Sequence, residues 1–578
     1  MINKWIKVNA YLVTVFVLLS GCTSSSPGDS SQENQPAEGQ VSDAGVFPIT
    51  EKPATLKVMV KANPLVEDFA ANRFSKWLEE KTNIKVEWEV VPEKSAQDKL
   101  NLVLASGDYP DVIMGFGVSP AQQLIYGSQG VFLPLNKYID QYGAETKKMF
   151  QENDYIKGLI SAPDGNIYSL PQVNQCYHCS VPNKMWIYKP WLDKLGLKLP
   201  TTTDELYEVL KAFKEKDPNG NGKADEIPLA GSIIGGSQID LFLMNAFIYN
   251  NSNHLLLQNG KIDVAFNKPE WKEGLQYLHK LYTNKLLDPQ TFSQDDKQLK
   301  QLGENPDVPI LGAAPAQNMG VFTQFFGSSG RWLEYVAVPP LKGPKGVQLA
   351  SSDPWGISGG TFVITNKAKN PAAAFRWADA MYNREMTLNS VFGRMDQEWR
   401  WAEKTELGID NKPAIWKRLA SFGQVQNIHW AQTGPSYRSN TLRLGEAMDP
   451  EKPNQEILLY NETKSKYEPY RQKQEQVVPP LFFNSDQSAE IADLQKIIGD
   501  YVMEMIARFV TGDADLTKDW DAYLKTLDGM NVKRYIQLYQ EAYDSRSVKN
   551  SGAHRKPGAY KASGLLNLHT STKFAPAQ

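Results

Sequence analysis

Oxygen-bearing side chains recur at alternate positions in Asp217-Pro218-Asn219-Gly220-Asn221-Gly222-Lys223-Ala224-Asp225-Glu226. Counted from Asp217 they fall at positions 1, 3 and 5, with glycine at 6 and the Lys223 carbonyl at 7, the opening of an EF-hand calcium loop. Ca2+ is a hard cation that takes roughly six to eight oxygens, and glycine beneath it permits the sharp turn. A full EF-hand closes its shell with a bidentate Glu at position 12. Here that position is Pro228, whose side chain cannot ligate, so Glu226 must serve instead. The expected ligands of a structural Ca2+ are therefore Asp217, Asn219, Asn221, the carbonyl of Lys223, Asp225 and Glu226. Because one short segment supplies them all, the ion would stiffen a loop rather than catalyse. The alternative is a polar Asn-Gly turn without an ion, for which the same residues are well suited.

The other candidate chemistry is sulfur. Three cysteines in 578 residues exclude a disulfide-rich scaffold. Cys176 and Cys179 flank Tyr177-His178, a spacing open to a local disulfide, two thiols, or a metal or redox site. No HExxH or nucleophile elbow occurs, and the six His are scattered. With 62 Lys+Arg against 65 Asp+Glu there is no basic excess to neutralise a phosphate backbone, so nucleic acid is not an expected partner.

Stepping along the chain, residues 1–21 carry Lys4 and Lys7 ahead of the short apolar run Ala10–Leu19, the form of a secretory signal. The run ends Leu19-Ser20-Gly21-Cys22, which resembles a bacterial lipobox, with Cys22 as the lipidated residue. Acyl chains on its sulfur would hold the protein to the outer face of a membrane. Removing residues 1–21 takes away two lysines and no acid, so the net charge moves from −3 to −5. Residues 22–50, rich in Ser, Gly, Gln and Asp, are expected to form a tether, and 546–578 a loose tail.

Between them, strand and helix patterns alternate. Leu56–Val60 is an apolar strand, Asp68–Glu80 an amphipathic helix, and Ile84–Val91 alternates apolar and charged residues as a half-buried strand. Ala96–Ser106 is a helix ended by Gly107, and Asp111–Met114 a buried strand. This order predicts an α/β fold with a parallel sheet and a ligand site beyond the strands' carboxyl ends. Further on, Thr203 is the expected N-cap of the helix leading into the oxygen-rich loop.

Specific stretches resemble a known family. They are Asn101–Val112 (NLVLASGDYPDV), Asp164–Pro171 (DGNIYSLP), Trp191–Leu197 (WLDKLGL), Pro200–Leu206 (PTTTDEL), Ile364–Ala368 (ITNKA) and Trp520–Lys525 (WDAYLK). Together with the lipobox they resemble extracellular solute-binding proteins of family 1, substrate-binding lipoproteins of ABC importers. The long subgroup that includes the alginate-binding proteins is the nearest in pattern. The resemblance implies a two-lobe, type II periplasmic-binding-protein-like α/β fold that closes on a sugar and hands it to the permease transmembrane subunits, without enzymatic activity. It implies a first lobe of 51–174 plus 338–392 and a second of 175–337 plus 393–545, in a lipid-anchored monomer on the extracellular face. Alginate-binding relatives carry a similarly shortened loop with calcium.

A sugar offers apolar C–H faces to flat rings and a rim of hydroxyls to amides, carboxylates and Arg. The expected ligand contacts are Trp355, set in a loop between Pro354 and Gly356, with Tyr177, Trp430, Tyr437 and Trp332. Trp77, Trp88, Trp377 and Trp520 sit on periodic elements and are expected in cores. Two alternatives stand beside oligosaccharide transport. One is a secreted carbohydrate-active enzyme, which needs a facing carboxylate pair that 65 acidic residues could supply. The other is a binding protein for a non-sugar solute such as a peptide.

Overall fold

The computed structural model describes residues 41–420, 423–449 and 454–550. Cys22 and residues 551–578 lie outside them. The chain first lays down β1 (Ala54–Lys61), β2 (Ile84–Val91), β3 (Val112–Met114) and β4 (Leu170–Asn174). It crosses to a second body through β5 (Lys184–Tyr188), β6 (Ile227–Leu229), the hairpin β7 (Leu255–Gln258) and β8 (Lys261–Val264), β9 (Leu311–Ala316) and β10 (Tyr335–Val338). It returns as β11 (Ile357–Ile364), adds the ribbon β12 (Trp399–Trp401) and β13 (Trp416–Arg418), and reaches β14 (Ser436–Arg438). Three helices, Ser485–Thr511, Trp520–Gly529 and Val532–Asn550, then pack on the second body.

Two main sheets result, in the strand orders β14-β4-β11-β3-β1-β2 and β10-β5-β9-β6, beside the two-stranded β7-β8 and β12-β13. β1 pairs in parallel with β2 and β3, as the strand–helix–strand pattern predicts. The first sheet is nevertheless mixed: β11 runs antiparallel to both β3 and β4, because it enters from the other body. Each sheet has its own apolar core, one around Phe74, Ile84, Trp377 and Trp430, the other around Trp186, Trp191, Phe213 and Trp271. The fold is thus α/β with two lobes.

Local signals set the element ends. Helix Ala96–Ser106 stops at Gly107, whose φ of 78° an L side chain rarely adopts. Helix Thr203–Glu215 begins one residue earlier than expected. Thr202, not Thr203, is the N-cap, with its hydroxyl accepting from Glu205 N at 3.1 Å while the Glu205 carboxylate accepts from the Thr202 N at 3.3 Å. Thr203 is instead buried. In β11 the pairing slips between Ser358 and Phe362, and Gly360 (φ 63°) lets the strand pass Val118, whose carbonyl oxygen would lie 2.0 Å from a Cβ there.

Three expectations about organisation change. The tether cannot run to residue 50, because Ile49 is fully buried in the first core and Arg376 donates to Ser42 Oγ (3.3 Å) and the Val46 carbonyl (2.7 Å). Residues 393–545 are not wholly in the second lobe, since β14 pairs with β4 and Trp430 fills the first core. The last helix continues through Asn550, beyond residue 545, the expected end of the second lobe. Between the lobes, Phe482, just before helix Ser485–Thr511, packs against a first-lobe apolar cluster that includes Met59, Leu100 and Phe132.

Candidate functional site

β4 and β11 carry the chain between the sheets, and a cavity of about 700 Å³ lies where they end. Its first-lobe wall includes Gln172 on β4 and Ser358 on β11; its second-lobe wall includes Gln317, Arg471 and Gln474. The floor is the crossing itself, Asn174 to Pro182. Gln175 is fixed from three sides, donating to Asn153 Oδ1 (2.6 Å) and the Tyr155 hydroxyl (3.0 Å) and accepting from Asn440 N (2.9 Å). Arg471 lines the cavity, and its buried Nε has no hydrogen-bond partner among the described residues. Gln172 and Ser358 also line an adjoining recess of about 330 Å³ with Asn63, Gly117 and Thr433. The groove therefore follows the carboxyl ends of β1 and β3, where an open α/β sheet places its ligand.

Of the five expected ligand contacts, Tyr177 lines this cavity. Its hydroxyl donates to Glu468 (2.7 Å) and its ring lies 4.9 Å from Tyr460. Burial and the Glu468 charge push the phenol well above the usual tyrosine range. Trp355 lines a further recess beside the cavity, with its ring edge-on to Tyr155 at 5.9 Å. Tyr437 stands behind the wall, donating to Glu152 (2.7 Å) and accepting from Asn153 (2.6 Å), and so positions Asn153 rather than lining the groove. Trp430 is 1% exposed, donates to Ser75 Oγ (2.8 Å) and packs on Phe74, Trp88 and Trp377, so it is a core residue. Trp332 is 2% exposed against Phe325 and Phe326, in the second core. The Asn427–Trp430 segment reads as a loop, and a loop residue seals a core as readily as a strand residue. Gln172, Gln317 and Arg471 carry no local motif and were not anticipated.

The crossing is held internally. Cys176 and Cys179 form a disulfide with Cα atoms 5.1 Å apart. Among the described residues, Cys176, His178 and Cys179 are the one cluster of at least three His, Cys or carboxylate groups close enough for a metal, within 4.8 Å. The disulfide occupies both sulfurs, which leaves no thiolate to ligate. Lys184 is fully buried and donates to the carbonyls of His178 (2.7 Å) and Val181 (2.6 Å); burial pushes its amine down to about 7. His178 is pushed down to about 3 by burial, with the Glu456 carboxylate 3.7 Å away acting in the opposite sense.

The oxygen-rich loop lies apart from the groove, after helix Thr203–Glu215. Asp217 accepts backbone N–H groups from Gly220 (2.9 Å), Asn221 (3.2 Å) and Gly222 (3.0 Å). Asn219 and Asn221 converge on the Asp225 carboxylate at 2.8 and 2.9 Å, which holds it below the usual range. Glu226 is 2% exposed, and its Oε1 has no partner among the described residues. Burial and the Asp217 and Asp225 charges raise its pKa. The residue types here are those a hard cation takes, and the Glu226 oxygen lacks a partner, although the carboxylates of Asp217, Asp225 and Glu226 do not all lie within 4.8 Å of one another.

Comparison with known proteins gives consistent results. A family model of bacterial extracellular solute-binding proteins matches residues 48–387. The fructooligosaccharide ABC transporter substrate-binding protein FusA of Streptococcus pneumoniae serotype 4 is 29% identical over 517 residues, 86% of this chain and 91% of FusA. The structure of FusA in complex with kestose matches with a TM-score of 0.71 at 28% identity, over 86% of this chain and all of that one. Another FusA structure is of its EF-hand mutant, with fructo-nystose. The HMO-binding ABC-transporter-associated solute-binding protein of Bifidobacterium longum infantis shares the fold, with a TM-score of 0.73 at 22% identity over 86% of this chain and 99% of its own. The alginate-binding protein AlgQ2 also shares it, with a TM-score of 0.57 at 24% identity over 86% and 99%.

Proposed function

The chain belongs to the bacterial extracellular solute-binding proteins, and from that membership we propose that it captures an oligosaccharide in the groove between its lobes and delivers it to an ABC permease. The family's work is binding, not catalysis. One observation carries the choice of ligand: the groove is walled by amides, an arginine and a tyrosine ring, and it extends into recesses on both sides. Such a surface meets many hydroxyls and an occasional C–H face, and its length exceeds the need of a single sugar. The ligand class of FusA makes fructooligosaccharides the first probes.

In this reading the lobes close about the crossings at 175–183 and 339–356, and binding energy shifts an open–closed equilibrium toward the closed form. The Asp217–Glu226 loop holds a structural Ca2+ through Asp217, Asn219, Asn221, the Lys223 carbonyl, Asp225 and Glu226; the EF-hand of FusA supports this. Cys22 is the lipid attachment site that keeps a monomer at the outer face of the cell membrane. No helix of the described residues is long and apolar enough to cross a membrane.

Calorimetry against a saccharide panel, with product analysis of the same samples, tests the reading. Heat of binding with the sugar recovered unchanged is expected. Turnover of any sugar, or no heat with every member, would overturn it.

A further inference from the structure

Oligosaccharide capture makes no use of the two sulfurs in the first crossing. Cys176 and Cys179 are bonded across a sequence separation of 3, a ring so short that closing it restricts the unfolded chain little. The backbone already holds the turn. Gln175 N donates to the Arg438 carbonyl (2.9 Å), Ser180 N to the Cys176 carbonyl (3.0 Å) and Asp353 N to the Ser180 carbonyl (2.8 Å). Both cysteines line the central cavity, so the bond stands beside open space. The two residues are unequally covered: Cys176 is 6% exposed, whereas Cys179 is half-buried. The groups around the Cys176 sulfur suit a thiolate. The Cys179 N–H donates to its Sγ at 3.3 Å, and His178 Nε2 lies 3.5 Å from the same atom. The buried Lys184 ammonium donates to the His178 carbonyl (2.7 Å). A carboxylate also faces the imidazole, Glu456 at 3.7 Å from Nδ1, but it is paired with Arg443 at 3.0 Å. A disulfide whose departing sulfur is stabilised as a thiolate exchanges readily with other thiols.

We propose that Cys176–Cys179 is a thiol–disulfide exchange site whose reductant is a dithiol entering through the groove. One thiolate of the dithiol attacks Cys179 Sγ, the more exposed end. A mixed disulfide forms, the Cys176–Cys179 bond breaks, and its electron pair leaves on Cys176 Sγ, where the Cys179 N–H stabilises it. The second thiolate of the reductant then attacks its own partner sulfur in the mixed disulfide, and Cys179 leaves as a thiolate. The protein disulfide has gained two electrons, the dithiol has lost them and become a disulfide, and its two protons pass to the cysteine sulfurs or to water. The exchange takes place on the turn that carries Tyr177, a wall residue of the groove.

The test measures the equilibrium with dithiothreitol at pH 8 for the wild-type chain without sugar, folded and urea-unfolded. Alkylation and peptide mass spectrometry count the Cys176 and Cys179 thiols. A disulfide that only holds the fold together is harder to reduce in the folded protein; one whose reduced form the fold stabilises is easier. The equilibrium constant for reduction should be about tenfold larger in the folded protein. An equal or smaller constant there would overturn the proposal. Cys176→Ser and Cys179→Ser test the direction of attack. Cys179 in the first should form a mixed disulfide with glutathione disulfide faster than Cys176 in the second; equal rates or the reverse order would overturn the assignment of Cys179 as the attacked sulfur. The equilibrium measurement needs no variant to fold, and neither measurement uses a sugar, so both stand or fall apart from oligosaccharide capture.

Discussion

Acidification should loosen the first crossing through one residue. His178 is 7% exposed, and burial pushes its imidazole from 6.5 down to about 3. Glu456 opposes that shift, and Lys184, Arg443 and Arg438 reinforce it. In the unfolded chain the ring takes a proton near its ordinary value. Between about 3 and 6.5 the unfolded state therefore binds more protons than the folded one, and stability rises with pH across that window. The contribution is whole above 6.5 and is lost as pH falls. At pH 5, about 1.5 units below the unfolded value, the loss is about 2 kcal/mol. Urea unfolding at pH 7 and pH 5, followed by tryptophan fluorescence, measures it directly. His178→Gln has no proton to gain and should lose about 2 kcal/mol less than the wild type over the same interval. Equal losses in the two proteins would refute the assignment of this pH dependence to His178.

Other perturbations separate core from groove. With about 1 mM Ca2+ and a Kd of ~10⁻⁴ M, mass action stabilises the folded state by about 1.4 kcal/mol, so a chelator should lower the melting temperature and Asp217→Ala should abolish the difference. Trp430→Ala should cost about 3–5 kcal/mol by denaturant titration, with the affinity of the folded fraction unchanged. Tyr177→Ala should do the reverse, weakening ligand binding in calorimetry with little change in unfolding midpoint. Gly360→Ala should cost at least about 1–3 kcal/mol, because its backbone φ of 63° and the Val118 carbonyl oxygen both oppose a Cβ.

Much of the fold was legible because local signals agreed with tertiary ones. Ile84–Val91 and Ala96–Ser106 occur with the limits their periodicity predicts. The direction of β11 was not legible, since a strand's partner orientation depends on where the chain has been, and no residue of Ile357–Ile364 records that. The oxygen-rich loop could be read because all its groups come from one short segment. The groove could not, because Gln172, Gln317 and Arg471 meet only through the crossing of the lobes. Trp430 shows the limit of reading aromatics in loops: Asn427–Trp430 looks like a surface turn, but hydrogen bonds from Arg73 and Phe74 N–H groups to Asn427 and Ile428 carbonyls hold it against the helix Arg73–Thr82.

The seating of Phe482 gives the clamp a fixed corner. Lifting that ring off the first-lobe cluster would return its face to water, so a motion that keeps it seated costs least. An opening that leaves the phenyl ring seated would part the two lobes unequally, least beside Phe482.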